Sequence, residues 1–191
     1  MKRIVIFASG SGSNAENIIE FFQTRDSISV THVLTNNQHA KVLDRCKRLN
    51  VSSVVFSREE FTKTDKIVEF LKKEADYIVL AGFLWRVPAN IVEAFPNKII
   101  NIHPALLPKY GGKGMYGMNV HKAVKENLEE ETGITIHYVN ENYDEGAIIF
   151  QAECKLTMSD TPEDIAQKVH KLEYKHFPEV IENVILKNEI G

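Results

Sequence analysis

Hydrophobic positions along this chain fall into two alternating patterns. Arg3 to Ala8, Ser29 to Leu34, Val51 to Phe56, Tyr77 to Ala81 and Lys98 to Ile102 are short and rich in apolar, largely β-branched residues, as buried strands are. Between them the apolar spacing becomes helical. Asn14 to Gln23 carries Ile18, Ile19, Phe21 and Phe22, and Ala40 to Leu49 and Lys63 to Glu74 read as helices too. Ser57 followed by Glu60 is a capping-box pair, and Pro88 suits the first turn of a short helix ending near Phe95. Repeated strand-helix units of this kind predict an α/β, Rossmann-like fold: a mostly parallel, twisted sheet with helices on both faces.

The second half has a different rhythm. Residues 103–116 are rich in Pro and Gly and read as a long loop, and His121 to Glu129 as a helix. Thr132 to Val139 alternates in polarity, and Gly146 to Leu156 is a further strand. The short polar stretch Asn140 to Glu145 between them predicts an antiparallel pair. Thr161-Pro162-Glu163-Asp164 has the composition of a helix start, with a capping hydroxyl, proline at the first position and acids in the first turn. That last helix is expected to run to about Lys187.

Size and charge narrow the classes. A chain of 191 residues without linker, repeat or low-complexity tract reads as one domain spanning 1–191. The net charge of −3 makes a broad nucleic-acid footprint improbable. No apolar stretch is long enough for a membrane span, and Ile4 to Ala8 is too short for a signal-peptide core. Two cysteines, Cys46 and Cys154, stand far apart in sequence without metal-ligand spacing and read as buried thiols in a reducing, cytoplasmic compartment.

Three segments carry candidate chemistry. Ala8-Ser9-Gly10-Ser11-Gly12-Ser13-Asn14 joins the first strand to the first helix, where small residues and free helix N–H groups favour an anion. The spacing Gly10-x-Gly12-x-x-Ala15 loosely matches a dinucleotide fingerprint. The second strand, however, ends in Thr35-Asn36-Asn37 rather than an acid, so a phosphate of a small ligand fits better than NAD. The second segment is Asn101-Ile102-His103-Pro104, at the carboxyl end of the fifth strand. There Asn101 and His103 share one side and could face one reacting group. The third is Asp144 before Glu145-Gly146, ordinarily a turn, which matters if the fold brings it beside His103. Thr135 and His137 share one strand face and read as cross-strand pairing or as support for the site. Lys122 to Glu131 reads as a solvated helix face. His121, His170 and His176 have no metal spacing, so no metal is expected.

Taken together, IVIFASGSGSN, SREEF, LAGFLWRVP, NIHPALLPKY, GITIHYV with YDEGAIIFQ, and KVHKLEYKHFP resemble the glycinamide ribonucleotide formyltransferase family over essentially the whole chain. The resemblance implies formyl transfer from 10-formyltetrahydrofolate, as co-substrate, to the amine of glycinamide ribonucleotide in purine biosynthesis. It implies a catalytic trio of Asn101, His103 and Asp144. Gly12, Ser13 and Asn14 would hold the substrate phosphate, and His170 and Glu173 would contact the same substrate. The folate would lie among Leu84, Trp85, Arg86 and Val87 and the loop Asn140, Glu141, Asn142, Tyr143 and Asp144, with Arg58 near its glutamate tail and Asn101 also touching it. The implied halves are a phosphate-binding part, about 1–100, and a folate-binding and catalytic part, about 101–191. Small-molecule substrates, no nucleic acid or membrane partner, and a monomer or homodimer complete the expectation. His170 stands where the family often has glutamine, Arg86 falls one position later than usual, and Gly111 to Gly117 is longer than the commoner form. Rival readings are a methionyl-tRNA formyltransferase, which carries a further basic domain, a formyltetrahydrofolate hydrolase, which carries a regulatory one, a sugar-nucleotide formyltransferase, and a non-catalytic nucleotide-binding module.

Overall fold

The structure is a computed structural model and describes residues 1–187. Strands β1 (Lys2–Phe7), β2 (Ile28–Thr35), β3 (Ser52–Val55), β4 (Tyr77–Leu80) and β5 (Ile99–His103) pair in parallel. Strands β6 (Glu131–Tyr138) and β7 (Ile148–Lys155) continue the sheet antiparallel, giving the order β3-β2-β1-β4-β5-β6-β7. The expected parallel sheet and closing antiparallel pair are both present. The strand order reverses between β1 and β4, so a crevice opens at their carboxyl ends, where open α/β sheets take ligands.

Alternation along β1 sends Ile4 and Ile6 to one apolar cluster and Val5 and Phe7 to another. The first cluster packs beneath α1 (Ser13–Gln23), α2 (Val42–Leu49), α6 (Met118–Glu126) and α7 (Pro162–Lys187). The second packs beneath α3 (Arg58–Thr62), α4 (Lys66–Glu74) and α5 (Ala89–Ala94). Both faces are covered, so the central strands are apolar throughout instead of alternating with polar residues.

Several boundaries differ from the sequence reading. The Ser57/Glu60 capping box exists in both directions, but it opens a separate short helix, α3, ahead of the expected one. Thr62 and Thr64 donate their hydroxyls to the carbonyls of Arg58 and Glu60, which ends α3 and delays α4 to Lys66. Pro88 is the N-cap of α5 and not its first residue. Helix α6 begins and ends three residues earlier than expected, because Leu128 adopts a left-handed conformation (φ 53°) that no helix continues. Glu129 therefore leaves the helix and contacts Lys109 and Tyr110 instead of lying on a solvated helix face. Cys46 is buried as expected, whereas Cys154 is half-buried, and both are free thiols. No helix among the described residues is long and apolar enough to cross a membrane.

Candidate active site

The carboxyl ends of β1, β4 and β5 open into a cleft of about 680 Å³. On one wall, β1 ends in the glycine loop. Gly12 has φ 71°, and a Cβ there would lie 2.3 Å from Val42 Cγ2, so close packing against α2 and a left-handed turn both demand glycine. No side chain caps α1, and its first backbone bond runs from the Glu16 amide to the Gly12 carbonyl. The amides of Ser13, Asn14 and Ala15 precede that bond, which leaves a cluster of donors at the positive end of the helix. Arg45 Nε donates to the Ser11 carbonyl at 2.7 Å and holds the loop from outside the cleft.

Asn14 Nδ2 donates to Glu173 Oε2 at 2.9 Å, and His170 Nδ1 lies 3.0 Å from the same oxygen. Two side chains from α7 are thus fastened to the glycine loop. Asn14 Oδ1 is buried with no hydrogen-bond partner among the described residues, an acceptor that a ligand hydroxyl or amine would satisfy. On the opposite wall, Ser9 Oγ accepts from the Leu84 amide at 3.0 Å, and the Ser9 amide donates to the Gly82 carbonyl. These bonds set Leu84 to Val87 across from the glycine loop.

The central group is built by strand register. β5 and β6 align Asn101 with His137 and His103 with Thr135. Thr135 Oγ1 donates to the Ala105 carbonyl at 2.7 Å and accepts from the Leu107 amide and Gln151 Nε2, so it braces the proline-bracketed turn after His103. His103 is 3% exposed, and its Nε2 lies 2.7 Å from the Tyr110 carbonyl. A carbonyl only accepts, so Nε2 carries a proton and Nδ1 is the nitrogen that faces Asp144 Oδ2, at 3.5 Å. Asp144 Oδ2 also accepts from the Gly112 amide at 2.9 Å, while Asp144 Oδ1 lies 3.6 Å from His137 Nε2. By the same logic His137 Nδ1 donates to the Tyr138 carbonyl, and its Nε2 accepts from Asn101 Nδ2 at 3.0 Å. One Asn101 N–H is therefore held by His137, and the second remains for the cleft.

Burial pushes the His103 imidazolium below the usual histidine range, although Asp144 and the Tyr110 carbonyl pull the other way. Burial would raise Asp144, yet the nearby His137, the charge of His103 and the Gly112 amide outweigh it and hold the carboxyl below its ordinary value. The resting pair is an ionised Asp144 beside a readily deprotonated His103.

Most of the residues expected at the site line this one cleft: Gly12, Ser13, Asn14, Leu84, Trp85, Arg86, Val87, Asn101, His103, Asn140, Asn142, Tyr143, Asp144, His170 and Glu173. Glu141 is exposed and lies off the cleft wall. Arg58 belongs to a smaller adjoining cavity of about 290 Å³, which shares Trp85, Arg86, Val87 and Tyr143, and its guanidinium stands 5.6 Å from the Trp85 ring centre. The site also uses His137, for which the sequence left cross-strand pairing and support of the site both open, and the Tyr110 carbonyl and Gly112 amide, which no motif pointed out. The alternation Thr135/His137 opposite Asn101/His103 was the available signal. Among the described residues, no three His, Cys, Asp or Glu side chains are grouped to hold a metal ion.

The profile of the formyl transferase family matches residues 2–181. A phosphoribosylglycinamide formyltransferase of Bacillus subtilis is 34% identical over 197 aligned positions, covering 100% of this chain and 98% of that protein. The chain belongs to the phosphoribosylglycinamide formyltransferases. A chloroplastic phosphoribosylglycinamide formyltransferase of Arabidopsis thaliana is 38% identical over 94% of this chain, which spans 64% of that protein's length. The crystal structure of a phosphoribosylglycinamide formyltransferase from Bacillus halodurans superposes with a TM-score of 0.86 at 31% identity, covering 96% of this chain and 95% of that one. The family resemblance and the fold expected from sequence are borne out.

In this member of the phosphoribosylglycinamide formyltransferases, the buried histidines give stability a definite pH dependence. His103 and His121 are both held below the usual value of 6.5, in each case chiefly by burial. The unfolded chain therefore binds more protons than the folded one once pH drops to that region, and stability falls as pH falls. Thermal melts are expected to shift to lower temperature between pH 7.5 and pH 5.5, with a smaller shift in His121→Asn. Equal shifts in the two proteins would remove His121 as a source.

Proposed function

We propose that this protein transfers the formyl group of 10-formyltetrahydrofolate to the primary amine of glycinamide ribonucleotide, giving formylglycinamide ribonucleotide and tetrahydrofolate for purine synthesis. The observation that carries the reading is one cleft that joins an uncapped, glycine-lined helix start to the buried Asn101, His103, His137 and Asp144 cluster. A phosphate fits the Gly12 to Asn14 amides, because no side chain caps that helix start and its first N–H groups are left without a backbone partner. Asn14, His170 and Glu173 then meet the ribose and glycinamide portion. The folate occupies the wall from Leu84 to Val87 and the turn from Asn140 to Asp144, and its glutamate tail runs toward Arg58 and the smaller cavity.

In the reaction, the neutral amine attacks the formyl carbon and a C–N bond forms. Negative charge develops on the former carbonyl oxygen; the free Asn101 N–H stabilises it, joined by the positive charge of His103 once that ring has taken up a proton. The proton lost by the attacking nitrogen passes to the Asp144–His103 pair and from there to N10 of the folate as the bond from N10 to carbon breaks. A neutral resting His103 suits this role, since it has room to take a proton, and the adjacent carboxylate stabilises the imidazolium that results. The protein's negative charge, −3, agrees with small anionic substrates held by local donors and not by a basic surface. The first hundred residues supply the phosphate cradle and the remainder the chemistry, within one domain placed in the cytoplasm.

Incubation with 10-formyltetrahydrofolate tests the assignment. Tetrahydrofolate is expected to appear only when glycinamide ribonucleotide is present. Release without it would identify a hydrolase, release only with a sugar nucleotide would identify that transferase, and no release under any condition would reduce the protein to a binding module.

A further inference from the structure

The segment Tyr110-Gly111-Gly112 touches both halves of the buried acid-base pair. Its first carbonyl accepts from His103 Nε2 at 2.7 Å, and its last amide donates to Asp144 Oδ2 at 2.9 Å. The separation of His103 Nδ1 and Asp144 Oδ2, 3.5 Å, is thus spanned by one tripeptide. Gly111 fits because a Cβ there would meet Leu107 Cδ2 at 2.6 Å and Asp144 Cβ at 3.4 Å. Tyr110 itself has φ 57°, a left-handed conformation that a bulky L-residue adopts only when held, at a cost of about 1 kcal/mol or more.

The hold lies at the far end of the side chain. Tyr110 Oη donates to Glu129 Oε1 at 2.8 Å, and Lys109 Nζ bonds both Glu129 oxygens at 2.9 and 3.1 Å. Glu129 follows the left-handed Leu128 and precedes β6, the strand that carries Thr135 and His137. Burial and the neighbouring carboxylate push the Tyr110 phenol up to about 12, while Lys109 and Tyr110 hold Glu129 below the usual carboxylate range. The phenol therefore stays a donor and the carboxylate an acceptor at any pH at which the protein would work.

We propose that Tyr110 and Glu129 are positioning residues for the formyl transfer: their hydrogen bond locks the 110–112 backbone, which in turn sets the spacing and proton arrangement of His103 and Asp144. This rests on the reading of His103 and Asp144 as the proton-carrying pair. The groups facing His103 are Asp144 from the turn before β7, His137 from β6, His121 from α6 and Glu173 from α7, and none of them replaces the Tyr110 carbonyl as acceptor for Nε2.

The test is Tyr110→Phe, which deletes only the hydroxyl, alongside Glu129→Ala and Glu129→Gln. Tyr110→Phe and Glu129→Ala are each expected to lower kcat about 10-fold with KM for both substrates within about 2-fold, the loss matching one hydrogen bond. The NMR titration of His103 should move to lower pH in both, because the carbonyl that favours the charged ring is released, and the acid limb of kcat should move the same way. Glu129→Gln, whose amide oxygen still accepts from the phenol, should keep at least about 3-fold more turnover than Glu129→Ala. If Tyr110→Phe folds poorly, the two Glu129 variants decide. A lower melting temperature with unchanged kcat and an unmoved His103 titration would overturn the proposal. Normal turnover in His103→Ala would instead overturn the reading of the site, so the two failures are distinguishable.

Discussion

His103→Ala is expected to lower kcat by about 100- to 1000-fold while KM for both substrates stays within a few-fold, the pattern of a group that matters most in the transition state. The side chain is buried, protonated on Nε2 by the Tyr110 carbonyl, and turned so that Nδ1 meets Asp144. Its removal deletes both a stabiliser of the developing charge and a stop on the proton's path. Asp144→Asn should fall in the same range, since its amide oxygen can still accept from the Gly112 amide but no longer stabilises an imidazolium. Steady-state kinetics paired with direct binding of each substrate separates turnover from affinity. A His103→Ala protein with half the normal kcat would remove His103 from the chemistry.

Gly12→Val is expected to act on binding and stability together. The new Cβ would stand 2.3 and 2.4 Å from Val42 side-chain atoms and 2.9 Å from its Cα, on a backbone at φ 71°. Strain in the left-handed region and overpacking against α2 together cost about 3 kcal/mol, or roughly 6 to 12 °C in melting temperature for a chain of this size. The loop and the first amides of α1 must shift, so affinity for the phosphorylated substrate should fall by about 100-fold or more while folate affinity is retained. Gly10→Ala is the thermal control, because nothing lies within 4 Å of its Cβ position. Isothermal titration with each substrate, well below the melting temperature, reads the effect. Loss of folate affinity alone would reassign the loop.

The fold was legible because both patterns that define it are local. Unbroken apolar strands such as Ile4 to Phe7 and Tyr77 to Leu80 can be buried only between two helical layers, and the alternation in Thr132 to Val139 marks a strand of another kind. The glycine loop and the Asn101/His103 spacing were legible for the same reason. What stayed open or escaped depends on register and on backbone groups. His137 joins the site because β6 runs antiparallel to β5 with His137 opposite Asn101, and an alternating strand does not announce its partner. Tyr110 and Gly112 contribute a carbonyl and an amide, which leave no mark in residue identity. The balance at His103 is likewise not legible, because sequence can place a carboxylate near it but does not weigh the desolvation that wins.

The bond from Asn14 to Glu173 joins residues 159 positions apart, and the cleft needs both. Helix α7 is the last element of the described chain, yet it supplies a wall of the substrate pocket and packs its Phe177, Ile181 and Ile185 into the core beside α1. The cleft accordingly takes its shape only with α7 packed in place. The wall of the cleft and the closure of this part of the core are thus built by one and the same packing contact, that of α7 against α1.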